Sequence, residues 1–103
     1  MKTAVAGFEW DGGNRQKCQK HGVSIAEIEE LFVRPHGTRV DEQHSLVEGR
    51  LKAIGRTREG RFVFLVFTLR ERDGKTYIRP ISARYMHRKE IEHYEKENPD
   101  IRE

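Results

Sequence analysis

No run of apolar residues in this 103-residue chain approaches the roughly 18 that a membrane-spanning helix needs. The opening segment, MKTAVAGFEWDGG, also lacks the apolar stretch of a secretory signal. No membrane association is expected, and the expected compartment is the cytoplasm. Cys18 stands alone, which excludes an internal disulfide framework and suits reducing surroundings. Cys18 and His21 fall three apart, but no second pair at ligand spacing completes a zinc site, so neither a metal nor a cofactor is expected. Internal repeats and low-complexity tracts are missing too. A chain of this length buries one modest core. The expectation is a single domain over residues 1–103, ordered from about 8 to 96, with a frayed C-terminal tail.

What the chain has in quantity is charge. Charged residues make up 36% against 35% hydrophobic, and the mean hydropathy is -0.86. Because the apolar residues gather in periodic blocks, a folded domain is favoured over disorder. The net charge of +3 and pI near 9.2 point towards an anionic partner such as nucleic acid, although 17 acidic residues are mixed among 20 basic ones.

Taken in order, Phe8-Glu9-Trp10 alternates as a short strand, and Asp11 is placed to cap a polar helix over roughly Gly13 to His21. Gly22 stops it. Ser24 and Glu27 form a capping box for a second helix, with Ile25, Ile28, Leu31 and Phe32 on one face, broken by Arg34-Pro35-His36-Gly37. Thr38 to Asp41 and Leu51 to Arg56 read as strands around a polar loop, Glu42 to Gly49. Phe62 to Leu69 is apolar on both faces and belongs mid-sheet. Glu59-Gly60 and Asp73-Gly74 supply tight turns on either side of it. Pro80 cannot donate to a ladder, which predicts a sheet edge or a bulge. A last helix is expected from about Met86 to Lys96, ended by Asn98-Pro99. The order β-α-α-β-β-β-β-α predicts an α+β fold, an antiparallel sheet with helices on one face.

The stretch from Ile78 to Tyr94 joins strand to helix through Ser82-Ala83-Arg84 and brings arginine, histidine and tyrosine together. Arginine offers a permanently charged fork for phosphate, histidine titrates near neutrality, and tyrosine stacks on bases or donates a proton. Arg50, Arg56, Arg58, Arg61, Arg79, Arg84 and Arg88 crowd the second half of the chain. Such a cluster binds RNA phosphates and stabilises a phosphorane-like transition state, or else forms a solvated face or a dock for an acidic protein. His87 is either a surface histidine at a helix start or a general acid or base near the arginines.

Four blocks in order are similar to the BrnT family of bacterial toxins: Phe8-Glu9-Trp10-Asp11, Lys20-His21-Gly22-Val23-Ser24, Ala53 to Arg61, and Ile81-Ser82-Ala83-Arg84 with Glu90 and Tyr94. Together they span roughly residues 8 to 95. The resemblance implies a RelE-like fold, ribonuclease activity, and neutralisation by a BrnA-like antitoxin that itself binds operator DNA. DNA is then reached only through the antitoxin. Asn14 and Cys18 stand where the family pattern suggests lysine and asparagine, Pro80 replaces an aliphatic residue, and Tyr85-Met86-His87 replaces small ones.

The expected function is a metal-independent endoribonuclease toxin, a hydrolase acting on RNA. Arg56 and Arg84 would hold the phosphate and His87 would act as acid or base, while Arg50, Arg61 and Tyr94 would bind RNA or keep the site in shape. The alternative is a basic interaction module without catalysis that binds an acidic or DNA-binding partner protein.

Overall fold

The computed structural model describes residues 5–33, 49–97 and the backbone of 36–40. Its elements are β1 (Gly7–Phe8), α1 (Gly12–Gln19), α2 (Ile25–Glu30) running into a 3-10 turn at Leu31–Val33, β2 (His36–Val40), β3 (Leu51–Arg56), β4 (Phe62–Arg72), β5 (Lys75–Tyr85) and α3 (Arg88–Glu97). This is the expected α+β order, and the five strands form one sheet in the order β1-β5-β4-β3-β2. The expected Glu42–Gly49 loop (apart from Gly49), the Arg34-Pro35 break, the end of β2 at Asp41 and the Asn98-Pro99 stop lie outside the described residues.

Both helix starts follow from short-range chemistry. Asp11 accepts from the Asn14 amide and Asn14 returns the bond to the Asp11 amide, and Ser24 and Glu27 do the same for α2. Each reciprocal pair satisfies donors that a helix start otherwise leaves open. The α1 surface is polar, as its sequence suggests, yet it buries Asn14 and Cys18, four apart on one face. The Asn14 side-chain amide bridges the carbonyls of Glu9 and Pro80, fastening α1 to β5. A lysine there could not make the same pair of bonds while also accepting from Asp11.

The long hairpin β4–β5 turns on Asp73 and Gly74, both with positive φ (51° and 75°), as a two-residue primed turn requires. Pro80 lies where the register slips: Val66 faces Ser82 while Phe67 faces Pro80, so Ile81 is the extra residue of a bulge. β4 is the central strand, with Val63, Leu65 and Phe67 in a core shared with Ile28, Leu31, Cys18 and Val23. Phe32 extends it by edge-to-face contacts with Phe8 and Phe67.

Three expectations need correcting. β1 is shorter than Phe8-Glu9-Trp10 and pairs parallel to β5, because Trp10 leaves the ladder to donate its indole N–H to Glu29. The Ser82-Ala83-Arg84 stretch is no corner but the interior of β5; the Met86 amide still bonds to Phe62 across the sheet, so α3 starts only at Arg88. Helices also cover both faces. Residues alternate along β4, so Phe62 points away from the core that holds Val63, and it meets Tyr94 of α3 on the far side.

Candidate functional site

Alternation along three neighbouring strands decides which side chains meet. Arg56 on β3 lies opposite Phe62, and Arg84 on β5 lies opposite Phe64. Phe62 and Phe64 are two apart on β4, so all four share the face that carries α3. Each guanidinium rests over the phenyl ring beside it, Arg56 at 5.7 Å from the Phe62 centroid and Arg84 at 4.7 Å from that of Phe64. Two strand spacings sideways and two residues along β4, about 12 Å in all, separate their backbones, a gap that two long arginine side chains can close around one phosphate.

Arg84 already has a counter-ion. Its two terminal nitrogens donate to the two oxygens of Glu90, each at 2.9 Å, and Nη1 reaches the Tyr85 carbonyl at 3.4 Å. The Arg84 bond, then the amide of His87, draw the Glu90 carboxyl down to about 2, and the same pair raises the pKa of Arg84. Glu90 Oε1 accepts from the His87 amide at 2.8 Å, so His87 is the N-cap residue of α3, as its carbonyl accepting from Ile91 also indicates. Its side chain is exposed, and its backbone is tied to Arg84 through the shared Glu90. Tyr94, one turn along α3, is buried, and its hydroxyl donates to the Ile54 carbonyl at 3.0 Å. It holds α3 on the sheet, facing inward.

The remaining two predicted residues sit elsewhere. Arg50 precedes β3, at the end opposite Arg56, and six residues of strand put about 20 Å between them. Arg61 opens on the other face. Its guanidinium lies 3.6 Å from the centroid of Tyr85, whose hydroxyl donates to Glu27 at 2.7 Å, with the Gly22 carbonyl at 3.2 Å as a second acceptor for the same proton. These residues, with Ser24, Thr57 and Glu59, line a solvent-open cleft of about 620 Å³ at the same end of the sheet as His87. Burial acts to raise the Glu27 carboxyl, but bonds from the Ser24 amide, the Tyr85 hydroxyl and the Ser24 hydroxyl prevail and hold it below its ordinary value. Sequence reasoning missed Tyr85 and Glu27. Tyr85 ends a strand, and only its register beside Val63 turns it towards α2.

Arg79, counted in the same cluster by sequence, belongs to a structural network. It donates to Glu9 at 3.1 Å and to Asp11 at 2.7 Å, and Arg70 and Arg72 approach the same Glu9. The network ties β1 to the hairpin. Among the described residues, no three His, Cys, Asp or Glu side chains are grouped to hold a metal ion, and no helix is long and apolar enough to cross a membrane.

A family model described as "Ribonuclease toxin, BrnT, of type II toxin-antitoxin system" matches residues 10–90. The match covers most of the chain, so the chain belongs to the BrnT family of ribonuclease toxins of type II toxin-antitoxin systems. No curated protein sequence matches it. The matched span contains Arg56, Arg61, Arg84, His87 and Glu90, while Tyr94 follows it.

Proposed function

We propose that the chain is an endoribonuclease that cleaves RNA without a metal, by attack of a ribose 2′-hydroxyl on the adjacent phosphate, and that a BrnA-like antitoxin neutralises it. In this reaction the 2′-oxygen loses its proton and bonds to phosphorus, and the 5′-oxygen leaves with a proton. The products are a 2′,3′-cyclic phosphate and a free 5′-hydroxyl. Arg56 and Arg84 hold the phosphate and the charge that develops on it, the electrostatic part a metal would otherwise play. His87 moves the proton. Arg61 binds RNA beyond the scissile phosphate and Tyr94 keeps α3 in register. Arg50 serves at most a distant phosphate.

The observation that carries this reading is the common face of Arg56 and Arg84, with the exposed His87 joined to Arg84 through Glu90, in a member of a ribonuclease toxin family. The test is induced expression of the chain in a bacterial host, following growth and RNA integrity, beside cleavage by purified protein in the presence of a chelator. Growth arrest and chelator-resistant cleavage, both relieved by His87→Ala and by Arg56→Ala, are expected. A folded chain that leaves RNA intact would overturn the reading.

The second reading, a non-catalytic module that binds an antitoxin, draws on the fork of Arg84 being already filled by Glu90. It predicts tight antitoxin binding with normal growth.

A further inference from the structure

We propose that the cleft between the Thr57–Gly60 turn and α2 is a base-recognition subsite for one nucleobase of the RNA substrate, and that guanine is the base it fits. The inference rests on the ribonuclease reading and adds to it the choice of sequence.

The floor of the cleft is the pair Tyr85 and Arg61. The Tyr85 hydroxyl donates its one proton to Glu27, with the Gly22 carbonyl as a second, longer acceptor, and this pins the ring. Arg61 stacks on it at 3.6 Å while staying exposed, so its outer plane is fixed and open to solvent. A guanidinium plane held in this way is a stacking surface for a nucleobase. The position is also apt. Thr57 follows Arg56 directly, and Tyr85 stands two residues before His87, so the subsite adjoins the arginine face across the end of the sheet.

The charges in the cleft select a base over a phosphate. Glu27, Glu30 and Glu59 line it beside Arg58 and Arg61, three carboxylates against two guanidinium groups, and Glu27 stays ionised. A phosphate is repelled; a neutral base is not. Among the described residues, neither the Arg58 guanidinium nor the Glu59 carboxylate has a hydrogen-bond partner, which leaves a donor fork and an acceptor pair beside the stacking plane of Arg61. Guanine offers O6 and N7 to the fork and its N1–H and N2 amine to the carboxylate. Adenine, cytosine and uracil lack that combination on their edges.

The test uses five-nucleotide 2′-O-methyl oligoribonucleotides, uridine throughout except for a central guanine, hypoxanthine, adenine or uracil, bound by the full chain and followed by fluorescence anisotropy. Guanine is expected to bind about tenfold tighter than adenine or uracil, with hypoxanthine, which lacks the N2 amine, in between. Arg61→Lys keeps the charge and loses the plane, and should abolish the preference while leaving salt-dependent binding. Glu59→Gln should close the gap between guanine and hypoxanthine. Equal affinity for all four, no binding of any, or a preference that survives both substitutions would overturn the proposal. Cleavage of unmodified RNA is read separately. A chain that prefers guanine yet cleaves nothing sinks the ribonuclease reading and leaves the subsite standing, whereas cleavage with no base preference sinks the subsite alone.

Discussion

Glu90 grips Arg84 fork to fork, at 2.9 Å on both sides, and with one of the same oxygens caps α3 through the amide of His87. One carboxylate therefore sets the aim of the arginine proposed to meet the phosphate and the backbone of the histidine proposed to move the proton. It also competes with the phosphate for that arginine. Glu90→Gln keeps an acceptor for the cap but removes the charge, so the fork is released and less well aimed. In steady-state cleavage, KM is expected to fall about threefold, the scale of a half-exposed ion pair, and kcat to fall by at least as much. An unchanged KM and kcat in a folded variant would show that the pair only braces the fold.

The same pair gives the protein an acid-sensitive hinge between sheet and helix. Glu90 titrates at about 2, below its ordinary 4.5, chiefly through its bond to Arg84. A carboxyl whose folded pKa is depressed stabilises the fold above its unfolded pKa, and that contribution fades as pH falls from about 4.5 towards 2. Both partners are 37% exposed, so solvent screening keeps the effect small. Thermal melts of wild type and Glu90→Gln should differ at pH 6 and converge only as pH falls to about 2. A gap that stays constant across that range would detach the pair from acid stability.

The sequence pattern carried the element order because the cues are local: the capping residues Asp11 and Ser24, the Asp73-Gly74 turn, and the two-faced run from Phe62. Pro80 announced its bulge for the same reason. What escaped was relative position. Nothing local says that Phe8 pairs parallel with Ile78, and the helical spacing of His87, Ile91 and Tyr94 does not show that the strand continues to Tyr85 before the helix begins. The arginines illustrate the limit. As a string they form one cluster, but strand register sends Arg56 and Arg84 to one face, Arg61 to the other and Arg79 to Glu9.

Cys18 is fully buried against the sheet, and burial raises its thiol to about 11. At neutral pH the thiolate that reacts with alkylating reagents is then about three-hundredfold scarcer than for a free cysteine of pKa about 8.5. Native protein should resist iodoacetamide for hours and react in denaturant within minutes. Rapid labelling of native protein would mean that α1 lifts from β5 readily, and that the Asn14 bridge to Pro80 is weaker than its two bonds suggest.

Tyr94 separates support of the site from contact with RNA. Its ring is 5% exposed, it meets Phe62 edge to face, and its hydroxyl donates to a sheet carbonyl. Removing the hydroxyl in Tyr94→Phe leaves the ring contact and costs about 1 kcal/mol of stability, a little more because the Ile54 carbonyl loses its partner in a buried setting. Tyr94→Ala also removes the ring and leaves a cavity beneath α3, at about 3 to 5 kcal/mol. The two variants should therefore separate in cleavage. Tyr94→Phe should match wild type in KM and kcat at 25 °C, and Tyr94→Ala should lose activity in step with its folded fraction as followed by circular dichroism. A loss of RNA affinity in Tyr94→Phe at unchanged stability would place the hydroxyl against the substrate and require α3 to swing out from the sheet when RNA binds.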